Sequence, residues 1–329
     1  MPAEWQIKQR TFIEWPVREM IWGNNMHQAQ LAYANVANKI SEFEPVTLIV
    51  NARSAALARK MCSNRIEFML IKHDDSWFRD NGPTFVVNNH DLAGICWKFN
   101  AWGEKYTPFD QDKIVAQQLL DQLKIKKYQA HIVLEGGSIH VDGQGTLLTT
   151  RECLLNPNRN PNITSQEIED TLKNYLGIKQ IIWLNKGLWG DETDGHIDNV
   201  ACFTDVGKIV MQSCYTENDP NYLIFKENQN ILKNSLDARG KKLEIVEIEQ
   251  PPPRYLHNKR LTLSYINYYL VNDGVILPVF GTEATKYDKN AESILAEIYP
   301  KRKIVPLDGS IIIQGGGNFH CITQQMPKI

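Results

Sequence analysis

The sequence predicts an α/β fold built from five similar units. An amphipathic helix, a short apolar strand and a polar or glycine-rich segment recur in that order at intervals of roughly 50 to 60 residues. Paired β-like runs lie between these units, joined by turn signals such as Asp205-Val206-Gly207 and Asn272-Asp273-Gly274. Because no low-complexity tract or linker divides the 329 residues, we expect a single domain over residues 1–329.

The first segment is predicted to be irregular chain, anchored by Trp15-Pro16 and Trp22-Gly23. A helix is expected from about Met26 to Phe43, because apolar residues recur there near helical spacing. The apolar run Val46–Val50 then reads as a buried strand.

The five units follow, each with a predicted helix and strand. If they pack round an axis, each directs its polar segment to the same central place. The helices and strands are Arg53–Met61 and Ile66–Ile71, Gln111–Leu123 and Ile132–Leu134, Ser165–Leu176 and Ile181–Leu184, Tyr222–Leu236 and Leu243–Ile248, and Ala284–Ile298 and Lys303–Val305. The paired runs between them are Thr84–Val87 with Ile95–Phe99, Val200–Thr204 with Ile209–Gln212, and Tyr268–Val271 with Val275–Val279.

Composition excludes several classes of partner. The 36 basic and 38 acidic residues give a net charge of −2, which argues against a nucleic-acid-binding surface. No apolar run of about 18 residues predicts a membrane span, and no signal peptide is indicated at the first residues. The six cysteines form no C-x-x-C pair, which favours reduced thiols in the cytoplasm. The oligomeric state stays open, and a homo-oligomer is compatible with the sequence.

The segment Gln314–Thr323 is the strongest chemical signal. Three consecutive glycines precede Cys321, and such a run is useful where the backbone turns or passes close to another group. A cysteine delivered by that turn is a candidate nucleophile. The alternative is a buried packing residue, which is the common fate of a free cysteine. Adjacent His320 is a poor base, because neighbours in an extended chain point to opposite faces.

Three further segments carry candidate partners for Cys321. His196 is followed by Asp198 on the same face of an extended chain, in a segment that also holds Asp191, Glu192 and Asp194. Neighbouring carboxylates favour the protonated imidazole, which suits a general acid/base. Asp80 and Glu135 each follow a strand beside glycine. Each segment also has a purely structural alternative. The segment around His196 would then be a solvated acidic loop, Asp80 would cap a turn, and Glu135 would be a surface residue.

Together these residues indicate a site for an organic cation. Carboxylates without a metal require a positive partner, and a guanidinium presents its N–H groups in a fork that carboxylate oxygens match. Two such carboxylates would hold the central carbon in front of a thiolate and keep that carbon electrophilic. No basic side chain other than histidine is expected to join the group.

Four motifs resemble the agmatine deiminase family of the guanidine-modifying superfamily, to which bacterial peptidylarginine deiminases are related. The resemblance runs over nearly the whole chain. The motifs are Trp77-Phe78-Arg79-Asp80-Asn81-Gly82-Pro83, Glu135-Gly136-Gly137-Ser138-Ile139-His140, Gly190-Asp191-Glu192-Thr193-Asp194-Gly195-His196-Ile197-Asp198-Asn199 and Gly315-Gly316-Gly317-Asn318-Phe319-His320-Cys321-Ile322-Thr323-Gln324-Gln325.

The resemblance implies a five-bladed α/β-propeller, or pentein, with the site on its axis. It implies hydrolytic deimination of agmatine to N-carbamoylputrescine and ammonia through an amidino-cysteine, without metal or other cofactor. Cys321 would be the nucleophile and His196 the acid/base, with Asp80 and Asp198 binding the guanidinium. The remaining implied roles are Glu135 as a support for the histidine, Trp77 as a pocket wall, and Glu192 with Asp194 as groups near the distal ammonium.

Three alternatives remain open. The first keeps the chemistry but changes the substrate to free arginine, peptidyl-arginine or an amidino-group acceptor. The second is a metal hydrolase that uses His196, Asp198, Asp80 and Glu135 as ligands, although it leaves the cysteine turn unexplained. The third is a non-catalytic module that binds polyamine or arginine and shares only the fold.

Overall fold

The computed structural model describes residues 1–88 and 91–329. In this part of the chain the strands form five sheets of three or four strands and one two-stranded ribbon. In chain order the strands are β1 (Lys8–Glu14), β2 (Val46–Val50), β3 (Glu67–Leu70), β4 (Thr84–Asn88), β5 (Asp91–Lys98), β6 (Lys126–Val133), β7 (Ile139–Val141), β8 (Thr146–Thr150), β9 (Gln180–Leu184), β10 (Ala201–Asp205), β11 (Lys208–Ser213), β12 (Glu244–Glu249), β13 (Tyr255–Leu256), β14 (Lys259–Arg260), β15 (Tyr269–Val271), β16 (Gly274–Val279), β17 (Lys303–Asp308) and β18 (Thr323–Pro327).

The predicted helices form close to their expected bounds. None of the helices in the described residues is both long enough and apolar enough to cross a bilayer. In chain order they are α1 (Glu19–Trp22), α2 (Met26–Ile40), α3 (Ala55–Met61), α4 (Phe78–Asn81), α5 (Ala101–Glu104), α6 (Asp112–Leu123), α7 (Arg151–Leu154), α8 (Ser165–Leu176), α9 (Asn221–Asn234) and α10 (Thr285–Ile298).

One topology recurs in the sheets. In β4-β5-β6, β7-β8-β9, β10-β11-β12 and β15-β16-β17, an antiparallel hairpin is followed by a helix and then by a strand parallel to the second hairpin strand. The predicted turns at Asp205-Val206-Gly207 and Asn272-Asp273-Gly274 connect two of these hairpins. The repeating pattern predicted from the sequence is therefore confirmed at the level of the sheets.

The first sheet is assembled from both ends of the chain, in the order β18-β1-β2-β3. Its strand β1 lies within the segment predicted to be irregular, so that prediction is wrong. The sequence of β1, KQRTFIE, lacks a regular apolar alternation. Pairing with β18 on one side and β2 on the other, with residues 11–14 buried, decides its conformation instead.

Helix α8 shows how local sequence prepares an element for packing. Thr164 and Glu167 form a reciprocal capping box at its start, and Gly177 ends it in a left-handed conformation with φ of 69°. Ile168, Leu172 and Leu176 then share one buried face. Burying each of these side chains contributes roughly 1.5 to 3 kcal/mol.

Apolar side chains of the described residues form five buried clusters, each beneath a helix and between two sheets. The α8 cluster, for example, joins β5 and β6 to β7 and β8. The cluster under α6 joins the first sheet to the sheet of β4, and those under α9 and α10 join the later sheets in turn. The cluster under α2 joins the last sheet, through β15 and β16, back to β1 and β2.

Candidate active site

Cys321 lies four residues after the last glycine of the run and two residues before β18. Gly316 has a φ of 106°, and a side chain at Gly317 would place its Cβ 2.9 Å from Cys321 Sγ. The glycines therefore allow both a left-handed turn and a close approach to the sulfur. Asn267, which the sequence did not indicate, donates its amide N–H to Cys321 Sγ at 3.1 Å.

Three of the predicted residues meet around Gly137. A Cβ at this glycine would lie 2.6 Å from His196 Nδ1 and 2.9 Å from oxygens of Asp80 and Asp198. Asp80 reaches this point from α4, after β3, while His196 and Asp198 belong to the segment between β9 and β10. A 3₁₀ turn at Ile197–Asn199, rather than the expected extended chain, directs His196 and Asp198 to the same place.

Asp80 is held by two donors. Its Oδ1 accepts the Gly137 N–H at 2.9 Å, and its Oδ2 accepts the Trp102 indole N–H at 2.9 Å. Trp102 reaches it from α5, where residues 101–104 have positive φ angles between 50° and 91°. Burial raises the pKa of Asp80 to about 6, although the nearby His196 acts to lower it.

His196 is fully buried between two carboxylates. Its Nδ1 lies 3.8 Å from Asp80 Oδ1 and its Nε2 lies 3.8 Å from Glu135 Oε2. In the described residues neither ring nitrogen has a hydrogen-bond partner. Burial acts to lower the pKa of His196, but the charge of Asp80 and the interactions with Cys153 and Glu135 outweigh it and raise that pKa well above its usual value. This environment favours the protonated imidazole, which suits a proton donor.

Glu135 is buried and tied to an arginine. The Arg159 Nε donates to Glu135 Oε1 at 2.6 Å, so the prediction that no further basic side chain joins the group is wrong. Burial acts to raise the pKa of Glu135, but Arg159 and His196 lower it below its ordinary value. Arg159 stands in a polar segment after α7, and no local pattern marks it as part of the site.

Asp194 lies beside the same arginine. Its Oδ2 accepts from Arg159 Nη1 at 2.7 Å and its Oδ1 accepts from Lys105 Nζ at 2.7 Å. Two cations therefore already satisfy this carboxylate, and Asp194 does not line the pocket that reaches Cys321.

Asp198 faces both the thiol and His320. Its Oδ2 accepts from His320 Nδ1 at 2.9 Å and from the Cys321 thiol at 3.4 Å. Burial acts to raise the pKa of Asp198, but His320 lowers it below its ordinary value. The other oxygen, Oδ1, is buried and has no partner in the described part of the chain. This oxygen therefore keeps its capacity to accept a hydrogen bond.

A narrow pocket leads to Cys321. Asp80, Glu192 and the Cys321 thiol line this pocket. Its aromatic walls are formed by Trp77, Trp102 and Tyr106. Glu192 borders a wider outer cavity as well, which places it between the pocket and the surface. Its Oε2 accepts from the Tyr106 hydroxyl at 2.6 Å, and its Oε1 forms an ion pair with Lys259.

The thiol of Cys321 is not activated by its surroundings alone. Burial raises its pKa well above the usual value, and the charges of Asp198 and Asp80 raise it further. A cation placed between those carboxylates would offset both charges and favour the thiolate. The site is therefore suited to a reaction in which the substrate's own charge helps to form the nucleophile.

Two groups of described residues bring three potential metal ligands within 4.8 Å of one another, namely Glu4–His140–His320 and Glu135–Cys153–His196. In each group an arginine already contacts the carboxylate, Arg79 at 3.2 Å in the first and Arg159 at 2.6 Å in the second. A guanidinium at that distance opposes binding of a metal cation. Neither group contains the four ligands that the sequence suggested for a metal hydrolase.

Comparison with known proteins agrees with this geometry. The family model for Porphyromonas-type peptidyl-arginine deiminase matches residues 1–327. An agmatine deiminase of Pseudomonas aeruginosa is 42% identical, in an alignment covering 99% of this chain and 95% of the relative.

Solved structures give the same result. The agmatine deiminase of Enterococcus faecalis, described as catalysing its reaction, superposes with a TM-score of 0.95 at 34% identity and covers 100% of this chain and 95% of its own. A cysteine-to-serine variant of C. jejuni agmatine deiminase with substrate bound has a TM-score of 0.91 at 31% identity, covering 99% of this chain and 95% of its own. The chain belongs to the Porphyromonas-type peptidyl-arginine deiminase family and is similar over its whole length to agmatine deiminases.

Proposed function

We propose that this protein hydrolyses agmatine to N-carbamoylputrescine and ammonia. The observation that carries the proposal is the arrangement of the pocket. The Cys321 thiol and the Asp80 carboxylate line it, the Asp198 carboxylate lies 3.4 Å from the thiol, and a third carboxylate, Glu192, lies toward the surface. Agmatine has a guanidinium at one end and an ammonium at the other, and an apolar chain between them suits the aromatic walls. The names of the similar proteins support the same substrate.

The reaction begins when Asp80 and Asp198 bind the guanidinium, whose charge favours loss of the Cys321 thiol proton to solvent. The resulting thiolate attacks the central carbon of the guanidinium. A C–S bond forms and gives a tetrahedral adduct. His196 then gives its proton to one amino group, the C–N bond breaks, and ammonia leaves. The product of this half-reaction is a covalent amidino-thioether on Cys321.

The second half-reaction returns the enzyme to its starting state. Neutral His196 takes a proton from a water molecule, whose oxygen bonds to the amidino carbon. Collapse of this adduct forms the carbonyl, breaks the C–S bond and releases N-carbamoylputrescine, while the hydroxyl proton passes to solvent. Glu135, held by Arg159 at 2.6 Å, keeps His196 oriented in both steps.

The remaining predicted residues take supporting roles. Trp77 forms a wall of the pocket beside Cys321, and Glu192 receives the distal ammonium. The sequence suggested Asp194 for the ammonium as well. Its pairing with Lys105 and Arg159 favours a role in holding the Glu192 segment in place instead.

Free arginine is the second candidate substrate, because cations also stand near the pocket. Lys259 pairs with Glu192, and Lys105 Nζ lies 2.5 Å from the Glu192 carbonyl oxygen. Either ammonium could meet the carboxylate of arginine. Parallel assays with agmatine, arginine and a blocked arginine peptide separate the three substrates, and we expect the highest kcat/KM for agmatine.

We further infer a five-bladed α/β-propeller, in which the five sheets are blades of one domain spanning residues 1–329. The closed cycle of apolar clusters, which ends by joining the last sheet to the first, supports this arrangement. The free cysteines of the described chain support a reducing, cytoplasmic location. Assembly into a homo-oligomer is compatible with the fold, and light scattering would measure it.

The test of the function is the covalent intermediate. Mass spectrometry of enzyme quenched in acid during turnover of agmatine should detect an amidino adduct on the peptide that contains Cys321. Cys321→Ser should lose both the adduct and turnover, because a serine hydroxyl is not ionised in this site. Cys62→Ser, which changes a thiol outside the pocket, is the matched control and should stay active. Normal turnover by Cys321→Ser would refute the assignment of the nucleophile.

A further inference from the structure

A chain of buried charged groups runs from Asp198 away from the pocket. His320 Nδ1 lies 2.9 Å from Asp198 Oδ2, and His320 Nε2 lies 2.9 Å from Glu4 Oε1. Arg79 Nη1 donates to the same Glu4 oxygen at 3.2 Å. Glu4 belongs to the segment that precedes β1, and each of these side chains is at least nine-tenths buried.

The two carboxylates define the protonation state of His320. Both ring nitrogens face a carboxylate oxygen, and a carboxylate only accepts hydrogen bonds, so both nitrogens must carry a proton. Burial and the Arg79 charge act to lower the pKa of His320, whereas Glu4 and Asp198 raise it, with a net increase. His140 Nε2 lies 3.7 Å from the other Glu4 oxygen, and Lys8 Nζ donates to the Glu4 carbonyl at 2.6 Å. The Glu4 charge also acts on the buried side chains of Cys202, Tyr269 and Tyr299.

This imidazolium has two effects on Asp198. It fixes the orientation of the carboxylate, so that Oδ1, which has no partner among the described residues, can accept from the substrate cation. It also holds the pKa of Asp198 below its ordinary value despite complete burial. In the described part of the chain Asp80 accepts hydrogen bonds from two neutral groups, the Trp102 indole and the Gly137 N–H, and its pKa is raised to about 6.

We propose that Glu4 is a positioning residue that acts through His320 to keep Asp198 an oriented, ionised carboxylate for the guanidinium of the substrate. The role deepens the proposed deiminase function and rests on it, because Asp198 is assigned to the guanidinium there. Glu4 contacts the far side of the imidazole and does not line the pocket.

Glu4→Gln separates charge from geometry. The new amide N–H can donate to a neutral His320 Nε2 while Nδ1–H still reaches Asp198, so the hydrogen-bonded chain survives and the imidazolium charge is lost. The pKa of Asp198 then rises because the charge of His320 no longer opposes the effect of burial. We expect kcat/KM for agmatine to fall roughly 10- to 100-fold near pH 6 and much less near pH 8.

The pH profile is the diagnostic measurement. In the wild type Asp80, with a pKa of about 6, dominates the acid limb of kcat/KM, so the limb should report a single proton. In Glu4→Gln a second proton, on Asp198, should steepen that limb toward a slope of two. A loss that is equal at every pH would show a merely structural role and would overturn the proposal.

Nuclear magnetic resonance of ¹⁵N-labelled histidine tests the Glu4–His320–Asp198 chain without substrate. Both nitrogens of His320 should carry protons at neutral pH in the wild type, and one should lose its proton in Glu4→Gln. The His320→Gln variant assigns the signal. A neutral His320 in the wild type would overturn the proposal. The wild type could also have a doubly protonated His320 and yet not turn over agmatine. That outcome would support the Glu4–His320–Asp198 chain and count against the proposed function alone.

Two control variants isolate the position of Glu4. Gln6→Ala changes an exposed side chain in the same segment, and Glu42→Gln removes an exposed carboxylate elsewhere. Both should retain the wild-type acid limb. If either shifted the limb as far as Glu4→Gln does, the effect would not belong to the Glu4–His320–Asp198 chain and the proposal would fail.

Discussion

Gly137 is the residue on which the geometry of the site depends most directly. His196, Asp80 and Asp198 all lie within 3 Å of the point that its Cβ would occupy. Its N–H also fixes Asp80 at 2.9 Å. A side chain here would force apart the acid/base and the two guanidinium-binding carboxylates that we propose, because each is buried and has little room to move.

Gly137→Ala should therefore lower kcat/KM for agmatine by about 100-fold or more, since a displacement near 1 Å in reacting groups can cost that much. Unfolding by denaturant should show a smaller loss of stability, about 1 to 3 kcal/mol, from overpacking. Gly240→Ala is the control. It has a φ of 74° but no other atom within 4 Å of its Cβ, so it should lose stability through strain and keep its activity. An active Gly137→Ala enzyme would contradict the proposed constellation.

Single residues differ in how well the sequence reveals them. Cys321 and His196 stand in segments whose glycines and carboxylates are unusual, so chemistry alone indicated them. Glu4, Arg159 and Trp102 have no such surroundings. Each reaches the site through a contact with a residue at least 22 positions away in the chain, and only the tertiary fold brings the partners together.

At the level of elements, the two-stranded ribbon β13–β14 brings a lysine to Glu192 that the sequence did not predict there. Its strands have only two residues each, too few for a periodic pattern, and the sequence did not indicate them. The longer helices were predicted because apolar residues recur along one face. The ribbon places Lys259 against Glu192, so the carboxylate proposed for the substrate ammonium is already paired.

Lys259→Met should lower the KM for agmatine by roughly 3- to 10-fold with little change in kcat, because the substrate ammonium would no longer compete with a lysine that is partly exposed. Steady-state kinetics at low salt measures the effect. Lys301→Met removes an exposed lysine outside the pocket and is the matched control. If Lys259→Met instead raised the KM for arginine and left agmatine unchanged, Lys259 would be a carboxylate-binding group and arginine the better substrate.

For the whole molecule, the closure of the chain positions the nucleophile. The sequence predicted repeating units, but it could not predict that β18 pairs with β1, because such a pairing joins residues more than 300 positions apart. Neither strand carries a strong local signal. Yet Cys321 lies two residues before β18, and Arg79 N–H, next to Asp80, donates to the Cys321 carbonyl at 3.1 Å. The strand pairing and this bond together fix the distance between the thiol and Asp80.

A truncation that removes residues 324–329 tests this closure, since it keeps every residue of the proposed catalytic group. It deletes most of β18, including buried Met326 and the bond from Gln324 to the Pro83 carbonyl at 2.6 Å. Loss of Met326 burial alone lowers the free energy of unfolding by roughly 1.5 to 3 kcal/mol, and loss of the hydrogen bonds between β18 and β1 lowers it further. We expect a protein that unfolds at a lower denaturant concentration and has no measurable turnover.

Removing only exposed Ile329 should change neither property. A stable, active protein ending at residue 323 would show that Cys321 is positioned by the glycine turn and its local contacts, without the strand that joins the two ends of the chain.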